Sequence, residues 1–187
     1  MVLLRKRRIT LSRLDTCHTT ARPRRTFWWR VLIRQGGEAV PTAADRAAVL
    51  GDDVMLLPAV VSGSGPFPDQ AMGWTRSPAN DGQRIAALSW YLALMTDTCL
   101  DLIGSVGPTV IEGPFARNSD YLAMLSALRP AGVHVADSAT GTSAGAAMLF
   151  DMERRGVYTR AVAPDADAPH LRRYAAGWRG LVAGRGV

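Results

Sequence analysis

Apolar residues run almost unbroken through positions 85–103, with Leu88, Leu92, Met95, Leu100 and Ile103 supplying the bulk. That length predicts a buried helix, with Asp81 as its N-cap and Gly104 as the residue that stops it. Asp97 and Asp101 lie four apart and share one face, which reads as a solvated stripe. Upstream, residues 54–61 form a β-prone run that opens into a Gly/Pro loop at 62–68. Downstream the periods shorten. Residues 109–112 predict a strand broken by Gly113-Pro114. Asn118 or Ser119 caps a second helix with Tyr121, Leu122, Met124, Leu125 and Leu128 on its apolar side, ended by Pro130. Val133-His134-Val135 is the next strand and residues 138–143 a Thr/Gly-rich turn. Residues 144–149 open a third helix with almost no side chains in its first turn. Strand, turn and helix repeated at this length predict an α/β fold, a parallel or mixed sheet covered by helices.

Composition narrows the class. With 187 residues, 48% hydrophobic and 20% charged, the chain can bury one real core but not two full-size domains. Two cysteines, Cys17 and Cys99, build neither a disulfide framework nor a zinc module, and a reducing, cytoplasmic setting is the expectation. The net charge of +6 is concentrated at one end. Residues 1–34 hold ten basic residues against the single acid Asp15, so the remaining body carries a net −3. A body without a basic face argues against a nucleic-acid partner. The leader is no secretion signal, because its charges follow its apolar residues and no long apolar run succeeds them. With Phe27, Trp28 and Trp29 among its arginines it can be read as a nucleic-acid arm, whose binding would fall steeply with salt. The preferred reading is a basic, poorly ordered leader over 1–34 before a body at 35–187. Asp97 and Asp101 also argue against a membrane span at 85–103.

Two turns sit where α/β sheets bind ligands, beyond the carboxyl ends of strands. The first is Glu112-Gly113-Pro114-Phe115-Ala116-Arg117-Asn118. Its glycine allows a flat ring to approach the backbone, and Asn118 can present an amide to a base edge. The second is Thr140-Gly141-Thr142-Ser143-Ala144-Gly145, where hydroxyls and free N–H groups face the positive end of a helix. It is neither a Walker A loop nor GxGxxG. Spacing alone leaves both as ordinary structural turns.

Together they carry a resemblance. From about residue 54 to 178, MLLPAVVSGSGPFP, YLALMTDTCLDLIGSVGPTVIEGPFARNSDYLAMLSALRP, TGTSAGAAML and, weakly, RRYAAGWR resemble the carboxy-terminal domain of FGGY carbohydrate kinases. These kinases are actin-like (ribonuclease H-like) ATPases, and the text looks closest to the fuculokinase-like members. The resemblance implies ATP with Mg2+ as cofactor and a sugar or polyol as substrate. It implies that Gly113, Pro114 and Asn118 flank the adenine and that Thr140, Gly141 and Thr142 lie near the nucleotide. Pro114 replaces the second glycine of the family's Gly-Gly-x-x-x-Asn pattern and removes an N–H there. The family's amino-terminal domain, with its Asp-x-Gly-Thr phosphate loop and aspartate base, has no counterpart here. Gly36-Gly37-Glu38 reads as a remnant of a Gly-Gly-Arg-Glu-like stretch. The expectation is a truncated or frameshifted product, inactive alone, with no catalytic residue and no metal ligand of its own. The competing reading is a non-catalytic interaction module that pairs with itself or with a separate kinase fragment. His134 is expected to pack inside a strand, Cys99 to be an inert apolar group, and Trp74, Trp90 and Trp178 to be packing residues, with Trp74 also placed to line a sugar site.

Overall fold

The computed structural model describes residues 39–136 and 159–185. Its first element, helix α1 (Ala43–Gly51), rests on a capping box. Thr42 Oγ1 accepts from the Asp45 amide at 3.2 Å, and Asp45 Oδ2 accepts from the Thr42 amide at 2.9 Å. Two orphan amides are thus matched reciprocally. Thr-x-x-Asp before an apolar run is the local sequence signal for this start.

The β-prone run yields only a two-residue strand, β1 (Leu56–Leu57), antiparallel to β2 (Gly73–Trp74) with Leu56 opposite Trp74. Pro58 ends it because a proline has no N–H for the ladder. Helix α2 (Asp81–Leu102) follows. Its N-cap is Asn80, not Asp81: Asn80 Oδ1 accepts from the Gln83 amide at 2.8 Å, which leaves Asp81 in the first turn beside Arg84 at 3.1 Å. Gly104 stops the helix as expected, at φ +65°, where glycine carries no penalty. Ile103, expected in the core, is 61% exposed because the helix ends before it. By length and composition α2 passes for a membrane span, but 67% of its apolar window is buried inside the protein.

Strand β3 (Thr109–Ile111) runs parallel to β4 (Val133–Ala136), joined by helix α3 (Ser119–Leu128). Strand β5 (Thr159–Ala161) lies antiparallel on the other side of β4, with Arg160 opposite Val135. The order β3-β4-β5 is a mixed sheet, and helix α3 packs against it. This is the α/β architecture that the alternating pattern predicts.

The final helix, α4 (Ala168–Gly184), closes the core. Leu171, Tyr174, Ala175, Trp178 and Val182 are buried, three or four residues apart, so one stripe faces inward. Tyr174 and Trp178 meet Trp90 and Tyr91 of α2 edge to face, at 5.1 and 6.3 Å between ring centroids. Such pairs contribute beyond the area they bury. Tyr174 donates its hydroxyl to the Val54 carbonyl and Trp178 its indole N–H to the Leu56 carbonyl, each at 2.8 Å. Trp90 and Trp178 are core residues, as expected; Trp74 is half-buried on β2.

Candidate functional site

The polypeptide turns sharply where β3 ends. Glu112 is still extended, Gly113 swings to φ +75°, and a 3-10 turn spans Gly113–Arg117 with Pro114 in its first positions. A side chain at Gly113 would be strained by that backbone, although a Cβ there would meet nothing within 4 Å. The space over Gly113 is therefore open, and Pro114 beside it is exposed. The bend stands at the carboxyl end of a strand in a parallel pair, the position from which α/β sheets address ligands.

Asn118 holds the bend from behind. Its Oδ1 accepts from the Tyr121 amide at 3.0 Å and caps α3, while its Nδ2 donates to Ser89 Oγ of α2 at 2.9 Å. Both ends of the amide are engaged within the chain. Phe115 packs against Tyr121, centroids 5.1 Å apart, and the Tyr121 hydroxyl donates to Thr96 Oγ1 at 3.0 Å. Burial pushes the Tyr121 phenol up to about 12. Glu112 Oε1 is sealed from solvent and meets no hydrogen-bond donor among the described residues. Of the residues singled out in the sequence, the bend thus unites Gly113, Pro114 and Asn118. Thr140, Gly141 and Thr142 lie outside the described residues, as do the leader and Gly36-Gly37-Glu38.

A second polar cluster corrects the sequence reading. Asp97 is not on a solvated stripe; it is 2% exposed. Arg129 Nη1 reaches its Oδ1 at 3.4 Å and Arg179 Nη2 its Oδ2 at 2.5 Å. Arg129 also donates to Asp101 Oδ1 at 2.6 Å and to the Ser105 carbonyl. The two aspartates share a face as their spacing requires, but that face meets the end of α3 and the flank of α4. The partners lie 32 and 82 residues away, beyond what local spacing can show. Two arginines against two aspartates make this a joint between helices. Arg46 of α1 likewise forks onto the buried Asp120 of α3, with Nη2 to Oδ2 at 3.2 Å.

Among the described residues no group of three or more His, Cys, Asp or Glu side chains can hold a metal ion. His134 is half-buried, its Nδ1 3.5 Å from Thr159 Oγ1, and His170 is exposed beside Asp167. Cys99 is a partly buried thiol outside any disulfide.

Residues 29–158 match the family described as carbohydrate kinase FGGY, C-terminal domain. The chain belongs to that family. Among solved structures, a carbohydrate kinase from Novosphingobium aromaticivorans is 35% identical, with a TM-score of 0.67 over 74% of this chain and 30% of that one. A xylulose kinase from Rhodospirillum rubrum is 18% identical, with a TM-score of 0.54 over 84% of this chain and 36% of its own. A Plasmodium falciparum glycerol kinase with ADP is 14% identical, with a TM-score of 0.52 over 85% and 36%. The last two share the fold. No curated protein matches. This FGGY domain is thus a partial actin-like ATPase domain, spanning 30–36% of the length of those three kinases. At the bend, the open space over Gly113 is compatible with a flat ring approaching the backbone. Magnesium finds no ligand set among the described residues.

Proposed function

We propose that this chain is the nucleotide-side portion of an ATP-dependent carbohydrate kinase and that the bend at residues 113–118 receives the adenosine. The observation that supports this is the open, positive-φ Gly113 at the end of β3 in a chain of the FGGY family. In the complete reaction Mg-ATP supplies the phosphoryl group that passes to a sugar or polyol hydroxyl. Here Gly113 lets a ring approach the backbone, and Pro114, lacking an N–H, offers it none. Asn118 fixes the bend to α2 and α3, and Phe115 and Tyr121 back it.

Phosphoryl transfer requires a base for the hydroxyl and groups that hold the phosphates, converging on the nucleotide as the site closes. The bend supplies neither, so the isolated chain is proposed to bind without turning over, in a reducing cytoplasm. Isothermal titration with Mg-ATP should give a binding isotherm. A coupled assay over ketoses and polyols should show no turnover until the remainder of a kinase is added. Absence of any nucleotide binding overturns the adenosine assignment; turnover by the isolated chain overturns the dependence on a partner.

One observation favours a second reading, a non-catalytic interaction module. Leu102, the last residue of α2, and Ile103 and Val106 just past it are 71%, 61% and 90% exposed. Three large apolar groups so close together mark a surface for another protein. Concentration-dependent association in sedimentation, lost in Ile103→Ser/Val106→Ser, would support it.

A further inference from the structure

We infer that Asn118 serves the bend as a positioning residue, pinned from behind by Ser89 of α2, and that the base is held without its amide. The inference rests on the bend being the nucleotide site. Ser89 sits in the middle of an apolar helix at 1% exposure, where a hydroxyl without a partner would cost folding free energy. Its oxygen accepts from Asn118 Nδ2 at 2.9 Å, across 29 residues of chain. Thr96, two turns further along α2, repeats the arrangement. Its Oγ1 accepts from the Tyr121 hydroxyl at 3.0 Å and donates to the Leu92 carbonyl at 2.9 Å. Two hydroxyls on one face of α2 thus hold the segment that follows the bend. An Asn amide reads an adenine edge by offering its oxygen and its nitrogen side by side. Here the oxygen is turned to the Tyr121 amide in the first turn of α3 and the nitrogen to α2, so the pair is divided between two helices. The Asn118 backbone amide is occupied as well, donating to the Phe115 carbonyl at 3.2 Å and closing the turn. The amide then acts by fixing where Gly113 and Pro114 stand. A site already held in its binding geometry binds more tightly than one that must first be ordered.

The test uses the full chain and titrates Mg-ATP beside Mg-ITP, whose base carries an oxygen in place of the amine of adenine. Ser89→Ala should bind both about fivefold more weakly at unchanged stoichiometry, the worth of one neutral hydrogen bond. Asn118→Ser keeps a cap for α3 with a side chain too short for Ser89. It should lose as much, and the double variant no more than either alone. Asn118→Asp keeps the length and the cap, and can accept from the Ser89 hydroxyl instead of donating to it. Its added charge acts on both triphosphates alike, so its ATP-to-ITP affinity ratio should equal that of the unmodified chain. An altered ratio in Asn118→Asp overturns the inference, because the amide then reads the base. Unchanged ATP affinity in Ser89→Ala overturns it too, as do losses in Ser89→Ala and Asn118→Ser that add. Should Ser89→Ala fail to melt cooperatively, the ratio in Asn118→Asp decides alone. If the unmodified chain binds neither triphosphate, the reading of the bend fails and the inference with it. If it binds them and the ratio moves in Asn118→Asp, the bend stands and the inference alone falls.

Discussion

Asp97 illustrates how a single side chain changes meaning with its surroundings. Buried at 2% exposure between Arg129 and Arg179, it holds the charge of a guanidinium that is itself inside the protein. Asp97→Ala leaves Arg129 with the exposed Asp101 and the Ser105 carbonyl, and removing one member of a buried pair is severe. Urea denaturation should show a loss of about 3–5 kcal/mol. The tyrosines make a second case. Burial pushes Tyr91 and Tyr121 up to about 12 and Tyr174 higher still, from an ordinary 10. The unfolded chain then ionises its phenols first. Stability should be fully present below pH 10 and fall progressively as pH rises through 12, with unfolding tracked by circular dichroism and phenolate absorbance at 295 nm. At this scale the sequence was partly legible. Asn118 could be read as a cap because a cap is local, whereas the burial of Asp97 depends on residues far along the chain.

Elements were legible where their signals are continuous and hidden where they are short. The apolar run of α2 and the caps of α3 could be seen directly, and β3 and β4 stand within a residue of their expected ends. The eight-residue β-prone run shrank to two residues because a proline and a glycine-rich loop outweigh side-chain preference. Helix α4 carried its inward stripe in plain view, but the arginines and glycines between obscured it. The joint between α1 and α2 offers a sharp test. A Cβ on Gly82 would collide with the Asp45 carboxylate, which completes the capping box and accepts from Asn80 Nδ2 at 3.0 Å. Thr42 hydrogen bonds already hold that carboxyl below the usual carboxylate range. Although alanine is ordinarily the better helix former, Gly82→Ala pushes the Asp45 carboxylate off its partners Thr42 and Asn80 and should therefore bring none of the usual gain in melting temperature. A double variant with Asp45→Ala should recover most of that gain, measurable as non-additive melting temperatures.

Across the whole molecule, one cluster of aromatic side chains binds elements from distant parts of the chain. Trp178 touches Phe67 and Tyr91, while Tyr174 touches Trp90. Trp178→Ala should cost about 3–5 kcal/mol and remove the indole bond to Leu56 as well, read as a lower urea midpoint. The family and the mixed sheet followed from text spread over most of the chain, which is why they were legible before any coordinate. The bend at Gly113 was legible as a position, since glycine after a strand is a local signal. Its unmatched Glu112 oxygen was not, because burial belongs to the assembled fold.

The hydroxyl of Tyr174 and the indole of Trp178 reach back 120 and 122 residues to the carbonyls of Val54 and Leu56. On a ribosome that distance becomes a waiting time. The residues around β1 leave the exit tunnel long before the helix that covers them has been synthesised, and contacts of such long range form late. Nascent chains stalled before residue 168 should therefore be cut by protease around positions 54–57, and chains released after residue 185 should resist.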